Sequence, residues 1–288
     1  MADIVFLNGA LVPKQDARIS AFDYGFLYGY GLFETVRAYS GRVFRLEQHL
    51  TRLARGAEVL GLSAKLTSFD LKKAIYDVLE ANHLSEARVR LTVSAGAGEP
   101  IADLDTCPAP TVFIAAQQIS PQLQRAYQNG YKAVVSRWRQ PGQPSPAGVK
   151  SLNYLRNVLA KAEAKKAGAD EALLLNDRGY LAEGTACNVF LVDSGKLATP
   201  SLESGVLPGV TRDAVLEMAR RLQLRVEERE VSLPELLKAQ EAFLTSAVIE
   251  VMPLTAVNGK AIGSGRPGAR SKELSDAFRE LVTRETGA

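Results

Sequence analysis

Between two segments whose apolar residues fall at strand and helix spacings lies a polar stretch, Gln117 to Gln128, interrupted by Pro121. A run of that composition has little to bury and serves best as a linker. It divides the chain into a smaller N-terminal α+β domain over residues 1–120 and a larger C-terminal domain over residues 121–288, a mixed α/β (α+β) architecture of two domains. The 288 residues, 46% of them hydrophobic, suffice for a core in each.

Local signals fill in the two halves. Asn8-Gly9, Ser40-Gly41 and Asn258-Gly259 predict tight hairpins, because these residues accept the positive φ angles of primed turns. Leu46, Leu50, Leu53, Ala57 and Leu60 recur at helical spacing up to Gly61. Thr67 with Asp70 reads as a capping box for a helix to about Ala81, and Ser232 with Glu235 as another. Strands are expected at Ala87 to Ser94, Thr111 to Ala116, Lys132 to Trp138, Ala172 to Leu175, Val189 to Val192 and Lys196 to Ala198, with one apolar extended run from Phe243 to Thr255. Helices are expected at Leu152 to Lys166, Thr211 to Leu222 and from about Ser271 onward. Neither repeats nor low-complexity tracts occur.

Charge and cysteine content exclude several classes of function. A net charge of +3, spread over 35 basic and 32 acidic residues with no basic tract, argues against nucleic acid or a membrane surface as partner and leaves a small anionic substrate compatible. Cys107 and Cys187 lie far apart with no second ligand cysteine nearby, so neither a disulfide framework nor a metal site is expected, and a reducing cytoplasm fits. The N-terminus reads as no signal peptide, and no stretch approaches the ~20 apolar residues of a membrane span. His49 and His83 stand isolated in predicted helices and read as structural; Trp138 reads as a core aromatic.

The chemistry concentrates at Lys150, at the end of a Pro- and Gly-rich loop from Pro141 to Gly148, and at Glu183, 33 residues further on. A lysine so placed is ordinarily solvated, and a carboxylate beside a turn ordinarily lies at the surface. Together they suit pyridoxal phosphate (PLP), which needs an amine for its aldehyde and a carboxylate to keep its ring nitrogen protonated. Leu207-Pro208-Gly209-Val210-Thr211 opens a predicted helix, where free N–H groups attract anions. In Arg88-Val89-Arg90 the arginines alternate, so both fall on one strand face, either as an exposed basic patch or as a site for carboxylates.

From Ile19 onward the chain resembles the class IV aminotransferases, the fold-type IV PLP enzymes. The carriers are Phe26-Leu27-Tyr28-Gly29-Tyr30-Gly31-Leu32-Phe33-Glu34-Thr35-Val36-Arg37, Phe44 to Leu53, the Lys150 and Glu183 segments, Leu207 to Arg212, and Phe243-Leu244-Thr245-Ser246. The resemblance implies that Lys150 anchors the cofactor and moves the proton at the substrate carbon. It implies that Glu183, with Asn188 closing its Glu-Gly-x-x-x-Asn frame, faces the ring nitrogen, and that Tyr154 meets the phenolic oxygen. Arg52, the Leu207, Gly209, Val210 and Thr211 turn, Ser246 and the backbone of Ala247 would hold the phosphate; relatives often carry threonine at this last position. Tyr28, Phe33, Arg88 and Arg90 would meet the substrate, and relatives are homodimers.

Within the family the chain is most similar to the 4-amino-4-deoxychorismate lyases, which share the Phe-Leu-Tyr-Gly-x-Gly-x-Phe-Glu-Thr run and an Arg-Val-Arg strand ending in Ser-Ala-Gly. That likeness implies release of pyruvate to give 4-aminobenzoate, with Thr35 delivering a proton to the departing fragment and Arg88 and Arg90 meeting the two substrate carboxylates. The alternative is amino transfer on branched-chain, D- or related amino acids. Branched-chain enzymes typically carry glycine at the position of Thr35, and D-amino acid enzymes tyrosine at that of Phe33.

Overall fold

The computed structural model describes residues 3–141 and 149–288, so most of the Pro- and Gly-rich loop before Lys150 lies outside the described residues. The chain forms two compact units. One comprises residues 3–119 with 149–154 and 282–288, the other residues 120–141 with 155–281.

The first unit is built on a six-stranded sheet of β1 (Ile4–Leu7), β2 (Ala10–Pro13), β3 (Gly31–Tyr39), β4 (Arg42–Val43), β5 (Ala87–Ser94) and β6 (Thr111–Gln118), in the order β2-β1-β6-β5-β3-β4. Its hairpins turn where expected: Asn8 and Gly9 have φ of 49° and 101°, Ser40 and Gly41 of 46° and 79°. A short helix α1 (Tyr24–Tyr28) precedes β3, and α2 (Leu46–Val59), α3 (Ser63–Leu66) and α4 (Leu71–Ala81) follow β4. Leu46, Leu53, Ala57, Ile75 and Val78 cover one sheet face in a core with Leu32, Val36, Val89, Leu91 and Val93. The capping box expected before α4 is a simple cap instead: Asp70 accepts from the Lys73 N–H, while the Thr67 hydroxyl donates to the Ala64 carbonyl.

The second unit begins with α5 (Gln122–Asn129), so the polar stretch read as a linker is the end of β6 followed by a helix. A nine-stranded sheet follows: β7 (Tyr131–Gln140), β8 (Glu171–Asn176), β9 (Leu181–Gly184), β10 (Asn188–Asp193), β11 (Lys196–Pro200), β12 (Arg225–Arg229), β13 (Glu241–Ser246), β14 (Glu250–Val257) and β15 (Lys260–Ala261). Its order is β12-β11-β10-β13-β14-β7-β8-β9, with β15 on β14. Helices α6 (Leu155–Lys166), α7 (Val210–Arg221), α8 (Leu233–Lys238) and α9 (Ala269–Thr286) as far as Leu281 complete it, α8 with the full Ser232/Glu235 capping box. The apolar run expected to be extended from Phe243 to Thr255 forms two strands, β13 and β14. They turn at residues 247–249, and Glu250 takes a left-handed φ of 50° while its buried carboxylate accepts from the Tyr127 hydroxyl and Arg279 Nε.

Candidate active site

Lys150 is held by backbone pairing to the start of β3. The Phe33 N–H donates to the Lys150 carbonyl at 2.8 Å, and the Leu152 N–H to the Gly31 carbonyl at 2.9 Å. Gly31 permits this approach, since a Cβ there would stand 2.3 Å from the Val93 carbonyl oxygen and 2.8 Å from Leu152 Cδ1. β3 pairs with β5 so that Phe33, Thr35 and Arg37 lie opposite Thr92, Arg90 and Arg88, all on the sheet face away from the α2 core.

On that face the side chains converge on one ring. Lys150 Nζ lies 4.5 Å from the Phe33 centroid and Arg90 Cζ 3.7 Å from it, while Tyr154 meets the same ring edge-on at 5.3 Å. Two cations on one phenyl ring are tolerable because the ring quadrupole attracts both. Arg90 is partly buried, pairs with no carboxylate among the described residues, and donates only to the Thr92 hydroxyl at 3.3 Å. Burial first, then the neighbouring Arg88, pulls its pKa down, the condition of a cation suited to an anion. Arg88 is exposed, and Tyr28, edge-on to Tyr24 at 4.9 Å, is 40% exposed.

The opposite face of β3 carries an ionic cluster that the sequence did not announce. Glu34, 1% exposed, takes a two-point bond from Arg52, Nε to Oε1 at 2.8 Å and Nη2 to Oε2 at 2.7 Å, and a further contact from His49 Nδ1 at 2.9 Å. Burial alone would raise the Glu34 carboxyl; hydrogen bonds from His49 and Arg52 outweigh it and hold the pKa at about 2. Burial lowers the His49 pKa despite the pull of Glu34, so the ring is neutral and donates through Nδ1–H. His49 is therefore not isolated; His83 is exposed just past α4.

Both shifts carry the same sign in acid. The unfolded chain binds protons at Glu34 near its ordinary 4.5 and at His49 near 6.5, before the folded chain does, so the stability from both is present above those values and lost as the pH falls below them. Denaturation midpoints should fall from pH 6.5 downward and most steeply between about 4.5 and 2. Glu34→Gln should flatten the lower part of that curve; an unchanged slope in the variant would refute the assignment.

In the second unit, Glu183 lies one residue before the end of β9. Its Oε2 accepts from the Leu207 N–H at 3.0 Å and lies 3.5 Å from Asn188 Nδ2, which also donates to the Leu207 carbonyl at 3.0 Å. The Leu207 N–H is thus spent on Glu183, and the N–H groups at the start of α7 are the candidate anion donors of this turn. Gly209 precedes α7 with no side-chain cap, and a Cβ on it would stand 2.1 Å from Asn188 Oδ1. Only glycine lets the turn close over Asn188. Val210 and Thr211 are buried at the helix start. Across the sheet from Asn188 stands Thr245, whose buried hydroxyl has no hydrogen-bond partner among the described residues. Next to it the Ser246 hydroxyl oxygen accepts from the Ile249 N–H at 3.4 Å. Among the described residues no cluster could hold a metal ion, and no helix is long and apolar enough to cross a membrane.

The sequence profile of the amino-transferase class IV family matches residues 31–257, and the chain belongs to that family, whose members are PLP-dependent enzymes. A protein of Methanocaldococcus jannaschii, provisionally a branched-chain-amino-acid aminotransferase, is 38% identical over 281 residues, covering 97% of this chain and 96% of its own. The aminodeoxychorismate lyase of Bacillus subtilis is 33% identical over 287 residues, covering 98% and 94%. Among solved structures, the Escherichia coli branched-chain amino acid aminotransferase superposes with a TM-score of 0.90 at 31% identity, covering 99% of this chain and 96% of that one. The branched-chain enzyme of Thermobaculum terrenum in its PLP form matches with a TM-score of 0.85 at 29% identity, covering 99% and 97%. The expected fold class is therefore the observed one, and the lyase is one relative beside branched-chain aminotransferases.

Proposed function

We propose that the chain is a PLP-dependent aminotransferase acting on amino acids of the branched-chain class. The observation that carries this reading is the meeting of Lys150 and Arg90 on the Phe33 ring, an amine beside a single, partly buried and carboxylate-free guanidinium. One such cation suits an amino acid with one carboxylate, and the aromatic wall of Phe33 and Tyr154 suits an apolar side chain. The lyase reading asks two arginines for two carboxylates, and Arg88 is exposed.

The residues fit the cofactor. In the second unit the start of α7 at Gly209, Val210 and Thr211, with Ser246 and the Ala247 backbone, suits a phosphate; in the first, Arg52, its plane fixed by Glu34, is a guanidinium suited to a phosphate's charge. PLP, when bound, supplies an aldehyde for the substrate's amino group and a ring that accepts electrons from its α-carbon. Lys150 would be the amine that holds the cofactor and the group that moves the proton at the substrate's α-carbon. Glu183, fixed by Leu207 and Asn188, would supply the carboxylate that keeps the ring nitrogen protonated, and Tyr154 would supply a hydroxyl to the cofactor. Arg90 orients the substrate carboxylate. The working form is a homodimer, consistent with the half or more exposure of Ile19, Phe22 and Phe26 in one short segment.

The lyase remains the second reading because Thr35 stands opposite Arg90 on the Phe33 face. Pyruvate release needs a proton on the departing fragment, and amino transfer has no such fragment. Thr35→Val removes the hydroxyl and keeps the shape. General acid help is worth about 10²- to 10⁴-fold, so the lyase reading expects pyruvate release to fall by that much. The aminotransferase reading expects the variant to transfer amino groups nearly as well as the parent. Selective loss of pyruvate release from aminodeoxychorismate, with the parent an efficient lyase, would overturn it.

A further inference from the structure

Glu171 in β8 is a buried carboxylate to which neither the family motifs nor the proposed chemistry gives a task. It is 4% exposed, and its two oxygens gather donors from three elements. Oε1 accepts from the Ala172 N–H at 2.8 Å, from the Thr185 N–H at 3.2 Å and from the Thr185 hydroxyl; Oε2 takes Lys161 Nζ, from α6, at 3.1 Å. Thr185, also 4% exposed, is gripped from its other side, since Asn157 Nδ2 donates to its carbonyl at 2.8 Å. Only Thr185, Ala186 and Cys187 separate the end of β9 from the start of β10. The connection is drawn tight by the Gly184 N–H donating to the Cys187 carbonyl at 2.7 Å, and a Cβ on Gly184 would stand 2.4 Å from Cys187 Sγ. Whatever fixes Thr185 therefore fixes Glu183, two residues before it, and Asn188, three after it.

Burying a carboxylate against a half-exposed lysine is weak evidence for stability, because desolvation offsets the attraction. Fixing a geometry is a better use of so many directed bonds. We infer that Glu171 and Thr185 are positioning residues, a clamp that sets the direction of the Glu183 carboxylate through the turn between β9 and β10. The inference rests on reading Glu183 as the partner of the pyridine nitrogen.

The test is the nitrogen resonance of ¹⁵N-labelled PLP bound to the parent protein and to Thr185→Val, Thr185→Ser, Glu171→Gln and Glu183→Gln, with kcat and KM measured alongside. A clamp predicts that Thr185→Val and Glu171→Gln shift the resonance toward its value in Glu183→Gln. It also predicts a kcat lower by about tenfold or more with KM within about twofold, the pattern of a misaligned group rather than a lost binding contact. Thr185→Ser, which restores the hydroxyl, should restore both. If Thr185→Val does not fold, Glu171→Gln decides alone. An unmoved resonance in these variants beside a moved one in Glu183→Gln, or equal losses in the Val and Ser variants, would overturn the clamp. An unmoved resonance in Glu183→Gln itself would instead sink the reading of Glu183 on which the clamp depends.

Discussion

Lys150→Ala should abolish turnover and leave no lysine that borohydride can label with the cofactor. In the parent protein, reduction followed by peptide mass analysis should place the pyridoxyl group on Lys150. The segment is laid along β3 by two backbone bonds, Phe33 N–H to the Lys150 carbonyl and Leu152 N–H to the Gly31 carbonyl, so no neighbouring amine can take its place without remaking that pairing. Loss of proton transfer alone is worth about 10²- to 10⁴-fold, and the lost cofactor anchor adds to it. Lys150→Arg should fare no better, although it keeps a cation over the Phe33 ring, because a guanidinium does not give up its proton. A label on another lysine, or measurable transfer by Lys150→Ala, would remove the basis of the account.

The second large effect is expected at Arg52, where two consequences separate. If Arg52 grips the phosphate as proposed, Arg52→Ala should cost about 1.5–3 kcal/mol of cofactor binding, or about 10- to 150-fold in Kd. It also strands the ionised, 1% exposed carboxylate of Glu34, and removing one member of a buried pair costs about 3–5 kcal/mol of stability. The double variant Glu34→Gln, Arg52→Ala should regain most of the stability and none of the PLP affinity. If Arg52→Ala binds PLP as tightly as the parent, the phosphate role is wrong; if the double variant is no more stable than Arg52→Ala, the buried pair is not what holds α2 to β3.

Much of this architecture can be read from the chain where a residue type has one physical use. Asn-Gly pairs turn hairpins because few residues accept two positive φ angles in a row, and Ser232 with Glu235 closes a capping box as its spacing requires. Signals fail where the chain lacks such punctuation. Leu181–Gly184 is short and ends in Glu-Gly, and Arg225–Arg229 is an edge strand made largely of charges, so neither β9 nor β12 stands out by periodicity. The turn between β13 and β14 contains no glycine or proline; its left-handed residue is Glu250, held by contacts from distant helices. The candidate cofactor residues stand out in the chain as motifs, whereas the ties among them do not. Glu34 sits in an apolar strand beside Phe33, and only strand alternation, with His49 and Arg52 three apart on α2, would have pointed it at that helix. The Leu207 N–H, expected for phosphate by its place before a helix, donates instead to Glu183, while the Leu207 carbonyl accepts from Asn188, ties between residues 19 and 24 positions apart that no local pattern announces.

Substrate choice is where family likeness alone misleads most easily, since relatives named for transfer and for lysis match this chain at similar identity. The most direct measurement is a parallel assay on the purified, PLP-loaded protein: amino transfer from a panel of L- and D-amino acids to a 2-oxo acid, and pyruvate release from aminodeoxychorismate. Efficient transfer from leucine, isoleucine and valine of one configuration is expected, with pyruvate release slow or undetectable. Rapid pyruvate release with no transfer from any member of the panel would contradict that expectation.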